Sequence, residues 1–452
     1  MSKRFTIAFE NEEVQKVQEV AEPLEIETDI ATDTEAAGDT GLDAVQEYVQ
    51  ESIAIEQDMA EINEAIVDND RVIEVTDNLE DIAAQVEAKP EGETVDIAML
   101  QTAANMAVAG TDADAQAIIP SLESFKDKQL AVEAIGEKIK NALTTVFDSI
   151  KVIGDKLATV IKSIFKTIGY LERQLAEKEQ AVQAITETVE FTVTGSDYTL
   201  VNGKHVADAK EYLTQYSKAV DFYKKWTASV IPSVTAFTNS VSKWYTTLFD
   251  GNEARMAAFK PLYDSYVKTF ADSIIGLPGV EKYDENRVAV FYKTPQLLGN
   301  VVIDVSKARH IPEMDADAGN FELRSAIINT KVQFLDKSKL INSGGKASIE
   351  MSMTPSQLKS LIAAQKTLLD EIKKYLNSEY KRNSKIGVGL KIGNLGFKMP
   401  ERTVVPATTV LVNRGANHSA FYVSFSRKYG ERLFHSGMIV LNKAIAASKT
   451  KE

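Results

Sequence analysis

The chain has 452 residues, 44% of them hydrophobic, enough for two or three soluble domains with a sizeable core, and its complete lack of cysteine excludes disulfides, zinc–thiolate sites, iron–sulfur clusters and thiol catalysis. The net charge of −14 is unevenly placed: residues 1–120 carry 30 acidic and 5 basic side chains, whereas residues 121–452 carry 35 and 46. Such a division points to an acidic tail, to a nucleic-acid or membrane partner for the basic part, or to one part masking the other. The start, MSKRFTIAFENEE, turns acidic where a secretory signal would stay apolar. No run reaches the roughly 18 apolar residues of a membrane span, so the expectation is synthesis and initial residence in the cytoplasm.

Residues 11–43 are acidic and poor in aromatics, a composition that buries too little surface to fold, and most of this segment reads as disordered. From Ala44 to about Lys89, Ile55, Met59, Ile62, Ile66, Ile73, Leu79, Ile82 and Val86 recur at helical spacing, predicting amphipathic helices with acidic outer faces. Pro90-Glu91-Gly92 ends them, and one more Ala-rich helix is expected before Pro120. The most regular pattern follows: Ile139, Leu143, Val146, Ile150, Ile153, Leu157, Val160, Ile164, Ile168, Leu171 and Leu175 step by four and three, the seam of one long helix that requires a helical partner. Lys138, Lys140, Lys151, Lys156, Lys162 and Lys166 lie off that seam, suiting either pairing inside a bundle or adsorption to a membrane or nucleic acid.

EFTVTGSDYTLVNGKHV, residues 190–206, alternates about Gly195-Ser196-Asp197 and predicts a hairpin. Residues 207–275 are helical and rich in aromatics such as Tyr212, Tyr216, Tyr223, Trp226, Trp244, Tyr266 and Phe270, whose spacing marks a core stripe more readily than a base-stacking surface. RVAVFYK, NVVIDV and KVQFLD read as strands, and TTVLVN and AFYVSFS near the end read the same way. Between them Thr354-Pro355 opens a helix to about Arg382. The fold class is therefore α-rich α+β: an acidic, partly disordered arm and acidic helices (1–123), a long helix in an aromatic helical bundle (124–275), and a smaller mixed basic part (276–452).

Sequence motifs for chemistry are sparse. His205, His310, His418 and His435 lack neighbours at metal-ligand spacing, so no metal or cofactor is expected. INSGGKASIE has Leu340 and Ala347 where a phosphate loop needs Gly and Ser or Thr, KIGVGLKIGNLGF misses the dinucleotide spacing and reads as bulged strands, and DADAGNFE has Ala326 where a calcium loop needs Glu. The expectation is a non-enzyme. Lys359, Lys366 and Lys373, seven apart and joined by Lys374, Lys381, Arg382 and Lys385, form either a phosphate-facing surface or a solvated face.

Two tripeptides, Ser121-Leu122-Glu123 and Ala131-Val132-Glu133, sit where the charge changes sign; Ala8-Phe9-Glu10, Ala54-Ile55-Glu56 and Ser348-Ile349-Glu350 share the small-x-Glu form. With its acidic Ala-rich front, these sites and a basic helical body, the chain resembles the internal head proteins of giant phiKZ-like tailed phages. The resemblance implies a prohead protease cutting after such tripeptides and a place in the capsid interior beside packaged DNA and other interior proteins. A cut after Glu123 leaves a body with 46 basic and 34 acidic residues, and one after Glu133 leaves 44 and 32. A polyanionic leader would keep that body off nucleic acid until assembly, after which counterion release would hold it to DNA regardless of base sequence, and ejection with the genome could follow. The alternatives are an uncleaved coiled-coil scaffold, oligomeric through the 139–175 helix, and a membrane-active protein whose lysine-rich helix is unmasked by cleavage.

Overall fold

Apolar residues spaced by three and four build the long helices of this protein, and burial on several sides decides how they stack. The computed structural model describes residues 39–87, 128–195, 199–247, 252–309, 326–336, 348–389 and 404–450. Residues 11–38 of the segment expected to be disordered, the Ala-rich helix before Pro120, the Ser121–Glu123 site and the rejected calcium loop at Asp315 lie outside them.

Helix α1 (Asp39–Glu87) is one continuous 49-residue helix, starting before the expected end of disorder at residue 43. Ile55, Ile62, Ile66, Ile73, Leu79 and Val86 are all buried along it. It runs antiparallel to α2 (Lys128–Gln183), so Glu51 meets Lys166 and Glu61 meets Lys156. All eleven seam positions of α2, from Ile139 to Leu175, are buried, and their partners come from within the chain. The heptad pattern thus specifies an intramolecular bundle, in which each large buried aliphatic side chain contributes about 1.5–3 kcal/mol.

Helix α3 (Ala209–Thr247) opens with Asp208 accepting the Glu211 amide at 2.8 Å while Glu211 accepts the Ala207 amide at 2.7 Å, so early helix donors are satisfied. Helix α4 (Asn252–Val267) continues through a π turn and a last short turn to Ile275. Helix α5 (Pro355–Gly389) begins at a reciprocal cap: the Gln357 amide donates to Thr354 Oγ1 at 3.3 Å and the Thr354 amide donates to Gln357 Oε1 at 2.8 Å. The segment from Lys385 to Gly389, expected as bulged strand, instead continues α5, because the helix ladder extends past its capped start without a proline to stop it.

The last element is α6 (Val404–Lys449), and it corrects the two strands expected at TTVLVN and AFYVSFS. Val410, Leu411, Val412, Ala420, Tyr422, Val423 and Phe425 are all buried because other helices surround α6. A helix covered on nearly every side shows runs of β-branched and aromatic residues that mimic strands, and burial outweighs helix-propensity costs of at most about 0.7 kcal/mol per residue. Small residues on α6 set the packing distance. A Cβ at Gly415 would lie 2.6 Å from the Phe237 ring of α3, and Gly430 and Gly437 admit Ile372 and Gln365 of α5. Around Trp226, the rings of Tyr223, Tyr375, Tyr422 and Phe425 stand at centroid distances of 4.8–5.5 Å, uniting α3, α5 and α6 in the expected aromatic core.

Strands are the smaller part of the described residues. The hairpin expected across Gly195-Ser196-Asp197 does not form: β1 (Val189–Thr194) pairs antiparallel with β8 (Ser348–Met353), Val189 opposite Met353. The true hairpin is the short pair β2 (Leu200–Val201) and β3 (Lys204–His205), turning at Asn202 and Gly203 with φ of 52° and 75°. Asn-Gly suits two consecutive positive φ values, so the tight turn sits there. Strands β4 (Glu281–Glu285), β5 (Ala289–Lys293), β6 (Val301–Ala308) and β7 (Lys331–Asp336) form an antiparallel meander, three of whose four strands were expected. The hydrophobic core runs continuously through residues from α1 to α6 and reaches β6 and β8.

Candidate functional site

Charge is segregated by helix. α1 carries 15 carboxylates and a single basic residue, Arg71, whereas α6 carries six Lys or Arg and a single carboxylate, Glu431. The two helices run antiparallel, which brings these charges into register. At one end Tyr48 Oη lies 3.2 Å from His435 Nε2. Further along, Glu56 Oε1 accepts from Arg427 at 2.7 Å and Glu56 Oε2 pairs with Lys428 at 3.1 Å. At the other end Asp70 accepts from Asn413 at 2.8 Å and pairs with Arg414 at 3.4 Å, while Asn69 donates to Asn413 Oδ1 at 3.0 Å.

This seam is largely withdrawn from water. The Arg427 side chain is 6% exposed, donates to the Ser52 carbonyl at 3.4 Å and pairs with Glu431 at 3.4 Å. Desolvation pushes the Glu431 carboxyl above its ordinary range, against the pull of Arg427. Burial drives His435 down to about 4 and His418 down to about 3, so both imidazoles are neutral at physiological pH. Burying ions costs several kcal/mol each unless they are paired, so these contacts fix the register of α1 more than they add net stability. On the other flank the α1–α2 ion pairs, Lys166–Glu51 and Lys156–Glu61, both at 2.6 Å, are more exposed and individually weak.

The lysine face expected on α5 divides when placed in the structure. Lys366 donates to Glu179 at 2.7 Å and Lys373 pairs with Glu172, both carboxylates belonging to α2, so these two cations bridge helices. Lys374 pairs with Glu371 at 3.5 Å, and Lys359 and Lys381 are exposed. Arg382 is not on that face: its side chain is 4% exposed and bonds the wholly buried Glu379 at 2.9 Å, with Tyr375 Oη donating to the same carboxylate at 3.0 Å. Lys385 lies in the last turn of α5. Of the cleavage-site candidates, Ala131-Val132-Glu133 lies within α2.

The residues that sequence reasoning missed are those of the α1–α6 seam. Their signal was present: Asn413-Arg414 and Arg427-Lys428 are fourteen apart, two helical heptads, and His435 follows Lys428 by seven. Reading α6 as strands hid that period. Among the described residues no group of three or more His, Asp or Glu side chains is placed to hold a metal ion, and no helix is long and apolar enough to cross a membrane. A shallow depression lined by Asp58, Val152, Asp155, Lys156 and Thr159 is part of the α1–α2 surface.

No curated protein and no solved structure matches the chain. The sequence profile of the phiKZ-like phage internal head proteins does, over residues 25–388. That match begins ahead of α1 and runs through the basic helices nearly to the end of α5, and the chain accordingly belongs to the phiKZ-like phage internal head proteins, structural components of the virion interior.

Proposed function

We propose that this internal head protein is made in the host cytoplasm as a precursor whose acidic N-terminal segment covers basic helices, is cut by the prohead protease after Glu123, and is packaged with the DNA. The single observation that carries the reading is the seating of α1 across Lys156, Lys166, Arg414, Arg427 and Lys428. Departure of α1 would take its carboxylates away from those five cations and uncover Arg427, now 6% exposed. Phosphates would then compete for them through counterion release, a sequence-independent attraction that weakens with salt. Lys359, Lys374 and Lys381 are exposed cations on α5. Catalysis has no part in this reading, and ejection with the genome is its natural end.

The choice of Glu123 is supported by what surrounds three of the other small-x-Glu tripeptides, while Ala8-Phe9-Glu10 lies ahead of the whole acidic segment that the cut is to remove. Ala54–Glu56 is in α1, Ala131–Glu133 in α2 and Ser348–Glu350 in β8. A folded helix or a paired strand must open locally before a protease cleft can take it as an extended chain. Ser121-Leu122-Glu123 falls between α1 and α2, outside the described residues. Intact mass and N-terminal sequencing of the form in finished particles tests the cut: a chain starting at Ser124 is expected, and one starting at Met1 refutes it. Failure of the body to bind DNA at low salt would refute the packaging role.

Burial of α1 in the core favours a second reading, an uncleaved structural component contacting other interior proteins. The same mass measurement separates the two. A membrane-active α2 would have to expose a seam that α1, α5 and α6 now cover.

A further inference from the structure

A cut after Glu123 would make the acidic segment a leader, but α1 is built into the core. Spanning 49 residues, it is about 73 Å long at 1.5 Å per residue. Along that length Ile55, Ile62 and Leu79 are 0% exposed, and they meet an apolar surface formed by α2 and α6. Lifting α1 would bare the α2 seam and leave Arg427 and Glu431 without the Glu56 carboxylate and Ser52 carbonyl that now complete their surroundings. Each of these consequences opposes release, and none depends on the peptide connection between α1 and α2.

Resting on the cleavage reading, we propose that α1 stays seated after the chain between α1 and α2 is cut, making the N-terminal piece a non-covalent subunit of the body. Cleavage then prepares the cationic helices for exposure without exposing them. Unmasking then needs a second event that opens the apolar seat, since a polyanion competing for Lys156, Lys166 and Lys428 acts on the charged margins alone. The seating is apolar at its centre and charged at its margins, so salt should act on the margins alone.

The test uses the full chain carrying a site-specific protease sequence within residues 88–127, cut after folding and then run on gel filtration at about 0.1 M and about 1 M salt. Both pieces are expected to elute together at both salt concentrations. Cut chains carrying Glu51→Gln with Glu61→Gln should retain the piece as well, whereas Ile62→Ala with Ile66→Ala should lose at least tenfold in retention on dilution. Separate elution of the unsubstituted piece at either salt concentration overturns the proposal. In finished particles, a body starting at Ser124 together with peptides from residues 39–87 supports it. A body starting at Ser124 without those peptides overturns retention while leaving the cleavage reading standing, and an intact chain overturns the cleavage reading itself.

Discussion

Replacing Ile62 by Ala separates a core helix from an attached tail. Ile62 is 0% exposed on α1, inside the cluster that α1 shares with α2 and α6. Truncating a buried isoleucine that neighbours cannot collapse around costs about 2–5 kcal/mol. Taking about 3 kcal/mol and a urea dependence of roughly 3 kcal/mol per molar, the unfolding midpoint should fall by about 1 M. Glu61→Gln on the same helix removes only an exposed pair with Lys156 and should cost less than about 1 kcal/mol. Two spectroscopic signals divide the molecule usefully. Trp226 and Trp244 are both on α3, so tryptophan fluorescence reports the body, whereas far-UV circular dichroism reports every helix including α1. Ile62→Ala should move both midpoints together. Should fluorescence stay in place while circular dichroism gains an earlier step, α1 is an appendage and the reasoning fails.

Arg427→Ala should destabilise the chain by about 3–5 kcal/mol, because it strands Glu431 beside Glu56 with the nearest buried cation gone; denaturant titration checks this, and a cost below about 1 kcal/mol would show the network to be solvated. His418, held neutral by burial beside Arg414, titrates near 6.5 when unfolded and near 3 when folded. The unfolded chain therefore takes up the proton first, so stability is full above pH 6.5 and is lost as pH falls toward 3, by about 2 kcal/mol at pH 5 from this residue. His418→Gln should flatten that slope, and an unchanged slope would remove His418 from the account. Gly415→Ala, which drives a methyl into the Phe237 ring, should cost about 1–3 kcal/mol in thermal or urea unfolding; a neutral result would mean that α3 and α6 are not in close contact there.

Helices α1 and α2 were legible because each presents one apolar stripe to its neighbours, and a stripe has a period. α6 was not, because a helix covered all round has no polar face to mark its turn, and its β-branched runs copy a strand. Partner choice was equally hidden. β1 alternates as a hairpin strand should, yet its partner lies at residues 348–353, and nothing local distinguishes the two pairings. The lysine face on α5 shows both outcomes. Lys366 and Lys373 do share a line, as seven-residue spacing requires, but α2 carries Glu179 and Glu172 opposite them, which only tertiary register reveals. Arg382 was readable: nine residues beyond Lys373 at 100° each is half a turn away, facing the core. The opposed charges of α1 and of the remainder were plain in the sequence. That their meeting place is a buried seam on α6 became visible only with α6 as a helix.

Hydrogen–deuterium exchange on the uncut full-length chain decides whether the acidic N-terminal helix is a structural part of the core or a solvated leader. The account predicts that amides between Ile55 and Ile73 exchange as slowly as those of α2 and α6, since all three open only when the shared core opens. Rapid exchange across that stretch of α1, with α2 and α6 still protected, would contradict it.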